Sequence, residues 1–129
     1  MITEDYVSFE TAKLLREKGF NEQCYAYYNI FYDNDGKVLK LWRKYPHRAQ
    51  PNSDYLNVPT LQMAIKWLRN TFHLEIYSFH DAIQESNDWW YRIEYHSKGC
   101  SLTKKSDAIY KTYEQACEAA IKYCLENLI

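Results

Sequence analysis

The stretch WWYRIEYH, residues 89–96, alternates in side-chain character from end to end. Successive side chains of a β-strand point to opposite faces, so Trp89, Tyr91, Ile93 and Tyr95 share one face and Trp90, Arg92, Glu94 and His96 the other. The first set reads as core. The second predicts an outward face on which a large aromatic ring stands beside charges of both signs, and strands covered on one side only belong to antiparallel sheets.

Outward from this strand the chain alternates between strands and helices. LEIYSFH, residues 74–80, predicts a preceding strand, joined to the first by the polar DAIQESND, residues 81–88. A short strand is expected over 108–111, after the polar stretch 97–107. Thr112 then opens a helix, TYEQACEAAIKYCLENLI, and its spacing to Gln115 is that of a capping box. The predicted inward stripe of this helix, Ala116, Cys117, Ala120, Cys124 and Leu128, is mostly small, which lets a helix lie close to a sheet. Before the sheet, Thr60 caps LQMAIKWLRNTF, where Leu61, Ala64, Ile65, Leu68 and Phe72 fall at helical spacing.

The N-terminal part repeats the theme. Ser8, FETAKLLREK and Gly19 read as a capped helix with a glycine stop, with Phe9, Ala12 and Leu15 inward and Lys13, Arg16 and Glu17 toward water. CYAYYNIFY (24–32), the turn DNDG (33–36) and KVLKLW (37–42) form a hairpin signature. Residues 43–59 hold all three prolines and no sustained period, so a long connection is expected there. The order α-ββ-α-ββ(β)-α predicts an α+β fold: one antiparallel sheet of four to five strands with three helices packed on one face, in a single domain of residues 1–129.

Composition agrees with a self-sufficient globular chain. At 129 residues, 47% hydrophobic and 26% charged, it has enough apolar surface for one core. Thirteen Tyr, five Phe and four Trp exceed what core filling requires, so some rings must lie at the surface, as sheet formers or as a binding face. The formal charge of −1 excludes a global field toward nucleic acid or anionic membranes. No stretch approaches the ~20 apolar residues of a membrane span, and MITEDYVSF lacks the features of a secretion signal, so a cytoplasmic protein is expected. In that compartment Cys24, Cys100, Cys117 and Cys124 are expected to be free thiols.

YVSFETAKLLREKGF (6–20), PTLQMAIKWLRN (59–70) and TYEQACEAAIKYCLENLI (112–129) together resemble a family of small uncharacterised proteins encoded by gut Bacteroidetes and by their phages and mobile elements. The resemblance covers both ends and the middle helix. It implies an intracellular, accessory protein of phage derivation, and carries no catalytic residues with it.

The order α-β-β-β-α from residue 60 onward is similar to the double-stranded RNA-binding domain, but Glu114 and Glu118 stand where that family carries cations at its last helix. RKYPHR interleaves Arg43, Lys44 and Arg48 with Tyr45 and His47, the mix that grips phosphates and stacks bases, and Lys104 and Lys105 add a second basic pair. His47, His73, His80, His96, Cys24, Cys100 and Asp81 match no zinc framework, so no metal and no cofactor is expected. None of the three glycines makes a phosphate-cradling motif, which leaves Cys100 with His96 or His80 as the one nucleophile and base arrangement to check. The leading expectation is a non-enzymatic protein-interaction or accessory domain, binding a protein partner or a second copy through Trp90, Arg92, Glu94 and His96. The alternative is a nucleic-acid module using Arg43, Lys44, Tyr45, His47 and Arg48 with Lys104 and Lys105.

Overall fold

The computed structural model describes residues 2–30, 38–42, 44–80 and 87–129. The chain divides into two compact units, residues 1–60 and 61–129. Among the described residues the fold is α+β, with three α-helices and two three-stranded antiparallel sheets, one in each unit. A single sheet of four to five strands is therefore corrected to two sheets of three.

In the first unit α1 (Phe9–Glu17) begins at Ser8, whose hydroxyl accepts from the Thr11 amide at 3.2 Å. It ends at Gly19, whose φ of +98° is open to glycine without strain. Thr11, Ala12 and Leu15 are buried, while Phe9 is half-buried and meets the Tyr28 ring edge-on at 5.2 Å. Arg16, expected to face water, instead donates to the Ser53 carbonyl at 3.0 Å. The sheet runs β2 (Lys40–Leu41), β1 (Ala26–Asn29), β3 (Tyr55–Val58), so the expected hairpin forms, and its DNDG turn lies outside the described residues.

β3 corrects the reading of 43–59 as a long connection. Its alternation lasts only four residues, with Leu56 and Val58 buried and Tyr55 and Asn57 turned outward, and the prolines around it disguise the pattern. Four residues suffice because β3 pairs with β1 along its whole length and α1 packs on it. Upstream, His47 and Cys24 exchange two backbone hydrogen bonds of 2.9 and 3.0 Å, which ties the proline-rich segment to the sheet.

In the second unit the sheet order is β4 (Glu75–His80), β5 (Trp89–Ser97), β6 (Cys100–Lys105). α2 (Leu61–Phe72) and α3 (Tyr113–Tyr123) pack on each other and on β4, and α3 also crosses β5. Tyr91 and Ile93 face them and are buried, whereas Trp89 and Tyr95, read as core with them, are only half-buried toward the ends of the strand. Thr112 caps α3 by accepting from the Gln115 amide at 3.1 Å, and Gln115 Oε1 accepts in return from the Lys111 amide. The buried stripe is Ala116, Cys117, Ala120, Ile121, Cys124 and Leu125, with Leu128 only half-buried at the end of a π-helical turn, Cys124–Leu128.

β6 occupies the polar stretch read as a connection, and the expected strand over 108–111 reduces to one bridge between Tyr110 and Trp89. Lys98 and Gly99 both have positive φ, the geometry of a two-residue hairpin loop, and they bring Cys100 back beside Ser97. Ser106 then closes the core edge: its hydroxyl accepts from the buried Tyr91 amide at 3.2 Å and its own amide donates to Tyr91 O. Ser106→Ala leaves that amide without its partner, with an expected loss of about 1–3 kcal/mol. Urea denaturation checks this, and an unchanged midpoint would show the bond to be dispensable.

Candidate interaction face

Side chains alternate along the second sheet, so the face away from α2 and α3 is set by register. Glu75 lies opposite Glu94 and Glu94 opposite Thr103; Tyr77 lies opposite Arg92 and Arg92 opposite Lys105; Phe79 lies opposite Trp90; His96 lies opposite Ser101. The open face is thus banded across the strands: a polar end at His96, an acidic row, a basic row, and an aromatic end. Tyr77, Phe79 and Trp90 are 42%, 43% and 36% exposed, and the last two are direct cross-strand neighbours.

Arg92 is the hub of this face. Its guanidinium carbon stands 4.8 Å from the Tyr77 ring centre, and its Nε lies 3.3 Å from Glu94 Oε1. Arg92 stacks on Tyr77 rather than on Trp90, because Tyr77 is directly across the ladder while Trp90 is two residues along the same strand. Glu75 is held by Arg69 Nε at 3.0 Å. Trp90, Arg92, Glu94 and His96 therefore share one face, as their spacing predicts, and the structure adds Tyr77 and Phe79 to it. Their strand was legible in EIYSFH, but the register that sets Phe79 beside Trp90 was not.

The basic residues of the alternative divide differently. Lys104 and Lys105 belong to opposite faces of the second sheet: Lys105 is opposite Arg92 on the open side, whereas Lys104 binds Asp107 at 3.0 Å and lies 5.1 Å from the Tyr123 ring centre. In the first unit Lys44, Tyr45, His47 and Arg48 are exposed, and Arg43 lies outside the described residues. The His47 ring packs 4.6 Å from Trp42, a contact the sequence did not announce.

The nucleophile and base arrangement does not assemble around Cys100. Ser97 is opposite Cys100, so Cys100 belongs to the helix-covered side of the ladder and His96 to the open side, while His80, opposite Trp89, is separated from Cys100 by eight residues of β5. The other thiols are buried: burial, with help from Glu22, pushes Cys24 from 9.0 up to about 12, and burial alone takes Cys124 to about 12. Cys117 is raised for the same reason, against the opposing effect of its contacts with Ser78 and Tyr113. Tyr91 is pushed from 10.0 to about 12, chiefly by burial and next by Tyr110. A cavity of about 20 Å³ beside Arg16, Phe20, Pro51 and Leu56 has room for one water. Among the described residues no three His, Cys, Asp or Glu side chains gather to hold a metal ion, and no helix is long and apolar enough to cross a membrane.

These thiols and Tyr91 set an alkaline limit. Each group is neutral when folded and ionises more readily when unfolded, so its contribution is complete below about pH 9 and is lost as pH rises toward 12. Melting temperature is expected to hold from neutral pH to about 9 and then fall. A disulfide-exchange reagent at pH 8 should modify the exposed Cys100 rapidly and the other three thiols only after denaturation. Rapid native reaction of more than one thiol per chain would contradict the assigned burial.

Comparisons with family models, with curated proteins and with solved structures returned no match to the chain.

Proposed function

We propose that this protein is a non-enzymatic interaction module that works through the open face of β4, β5 and β6, and that the partner this face suits best is a second copy of itself. The observation that carries the reading is the banding of charge and aromatic side chains across the strands. A two-fold axis along the bands, level with Ile93, sets the basic row of one copy over the acidic row of the other. The same operation sets Trp90 over His96 of the second copy, and one patch serves both sides, as a two-fold interface requires. Aromatic rings and arginine are the residue types that dominate interface energetics. The likeness of the helical segments to the gut Bacteroidetes and phage family supports an accessory role in the cytoplasm.

Size fixes the expected strength. β5 has nine residues, roughly 30 Å of strand, and three strands with their side chains span roughly 15 Å. That is on the order of 450 Å² per copy, about half of a standard stable interface. An interface this small belongs with the weak, transient ones, and a dimer with Kd on the order of 10–100 μM is expected. Light scattering over a concentration series should show the mass rising from 15.6 kDa toward twice that value. Trp90→Ala should remain monomeric at an unchanged melting temperature, since Trp90 is not part of the core. A Trp90→Ala protein that still dimerises would reject this face as the interface.

A further inference from the structure

The open face of the first sheet carries a second group of rings, which the proposed interface does not use. Tyr27 and Trp42 stack with centres 4.0 Å apart and planes 26° from parallel. Tyr55 stands 5.6 Å from each of them, and the His47 ring is 4.6 Å from Trp42. Alternation explains the grouping: Ala26 and Tyr28 of β1 and Leu56 and Val58 of β3 are buried, so Tyr27 and Tyr55 must point the other way.

The group is held in place by its own polar contacts. Trp42 Nε1 donates to Asn57 Oδ1 at 3.2 Å, and Asn57 Nδ2 donates to the carbonyl oxygens of His47, at 2.6 Å, and Glu22, at 3.3 Å. One asparagine thereby fixes the indole and the segment that carries His47. A ligand would meet rings already ordered, without the entropy cost of assembling them.

Cations accompany the rings. Lys40 is directly opposite Tyr27 and so belongs to the same face, and Lys44 and Arg48 are exposed on the segment that carries His47. Arg48 Nη2 is 4.0 Å from Glu22 Oε2 with both side chains more than half exposed, a pair too weak in water to hold the guanidinium back from a phosphate.

We propose that this face binds single-stranded nucleic acid, with bases stacking on the Tyr27, Trp42 and Tyr55 group and phosphates meeting Lys44 and Arg48. Flat rings beside exposed cations satisfy both halves of a single strand, and stacking of this kind tolerates any base. In a duplex the bases are already stacked, so the rings would have nothing to receive. The inference is independent of self-association, because its residues all belong to the first unit.

Fluorescence anisotropy with labelled oligo(dT) and oligo(U) of about 15 nucleotides tests it. The expected result is saturable binding that weakens about ten-fold between roughly 50 and 200 mM salt, with the two oligonucleotides reporting whether DNA, RNA or both are accepted. The Lys44→Ala/Arg48→Ala protein should bind more weakly and with a flatter salt dependence. Tyr55→Ala should bind about ten-fold more weakly with the salt dependence retained. Trp90→Ala should bind as the unaltered protein does. No binding at low salt, equal binding of a duplex, or full affinity in both basic-residue and Tyr55 variants would overturn the proposal. So would salt-independent binding of a neutral oligosaccharide in place of the oligonucleotides.

Discussion

Leu56→Ala is expected to lower the stability of the first unit by about 3 kcal/mol, the usual scale for emptying a fully buried leucine site. Leu56 is wholly buried on β3, pairs across the ladder with Tyr28, and lies on the strand against which α1 packs. Domains are stable by only about 5–15 kcal/mol, so this one substitution removes a large fraction of the total. Urea denaturation of Leu56→Ala beside Tyr55→Ala separates strand from loop. If 55–58 is a strand, the buried position is costly and its outward neighbour far less so. Equal and small effects at both positions would mean that 43–59 is the patternless connection its prolines suggest.

The second large effect concerns charge on the open face of the second sheet. Arg92→Glu confronts the acidic row of a second copy with another carboxylate, and Glu94→Arg confronts the basic row with another cation. Each protein alone should lose self-association by at least ten-fold, since like charges set face to face oppose binding as strongly as opposite charges favour it. Mixing the two should restore a dimer, because every row of one then meets its complement on the other. Light scattering of the separate and mixed proteins checks this. Restoration on mixing has no explanation in misfolding, whereas a mixture that stays monomeric would contradict the two-fold arrangement.

What the sequence disclosed follows from how each element is held. β5 was legible because one face is buried and the other is not, so Tyr91 and Ile93 alternate with Arg92 and Glu94. The helices were legible for the same reason, through Leu61, Ala64, Ile65 and Leu68 in α2 and the small stripe of α3. β6 was hidden because it is an edge strand whose residues are exposed or half-buried, so CSLTKK carries no apolar period and is placed by its ladder to β5 and the Lys98-Gly99 turn. β3 was hidden by its length. The one-sheet expectation failed with it: without β3 and β6, four strands look like one layer, and with them each unit has a sheet of its own.

The candidate face was half legible for a related reason. Trp90, Arg92, Glu94 and His96 lie on one strand, where period alone assigns a face. Tyr77 and Phe79 join them only through cross-strand register, which depends on where β4 and β5 meet across residues 81–88. The ring group of the first unit was further from reach. Tyr27, Trp42, His47 and Tyr55 come from three separated segments, and Asn57, which fixes them, reads in sequence as an ordinary loop residue.

The chain holds four tryptophans, at 42, 67, 89 and 90, and each gives its own indole N–H signal in a nitrogen–proton correlation spectrum. Following those signals through a dilution series is the most direct test of the interaction face. The Trp90 signal should shift steadily as dimers dissociate, while those of Trp42 and Trp67 stay fixed and that of Trp89, on the opposite side of β5, moves far less. A Trp90 signal that stays fixed while another moves, or four signals that ignore concentration, would contradict self-association through the open face of the second sheet.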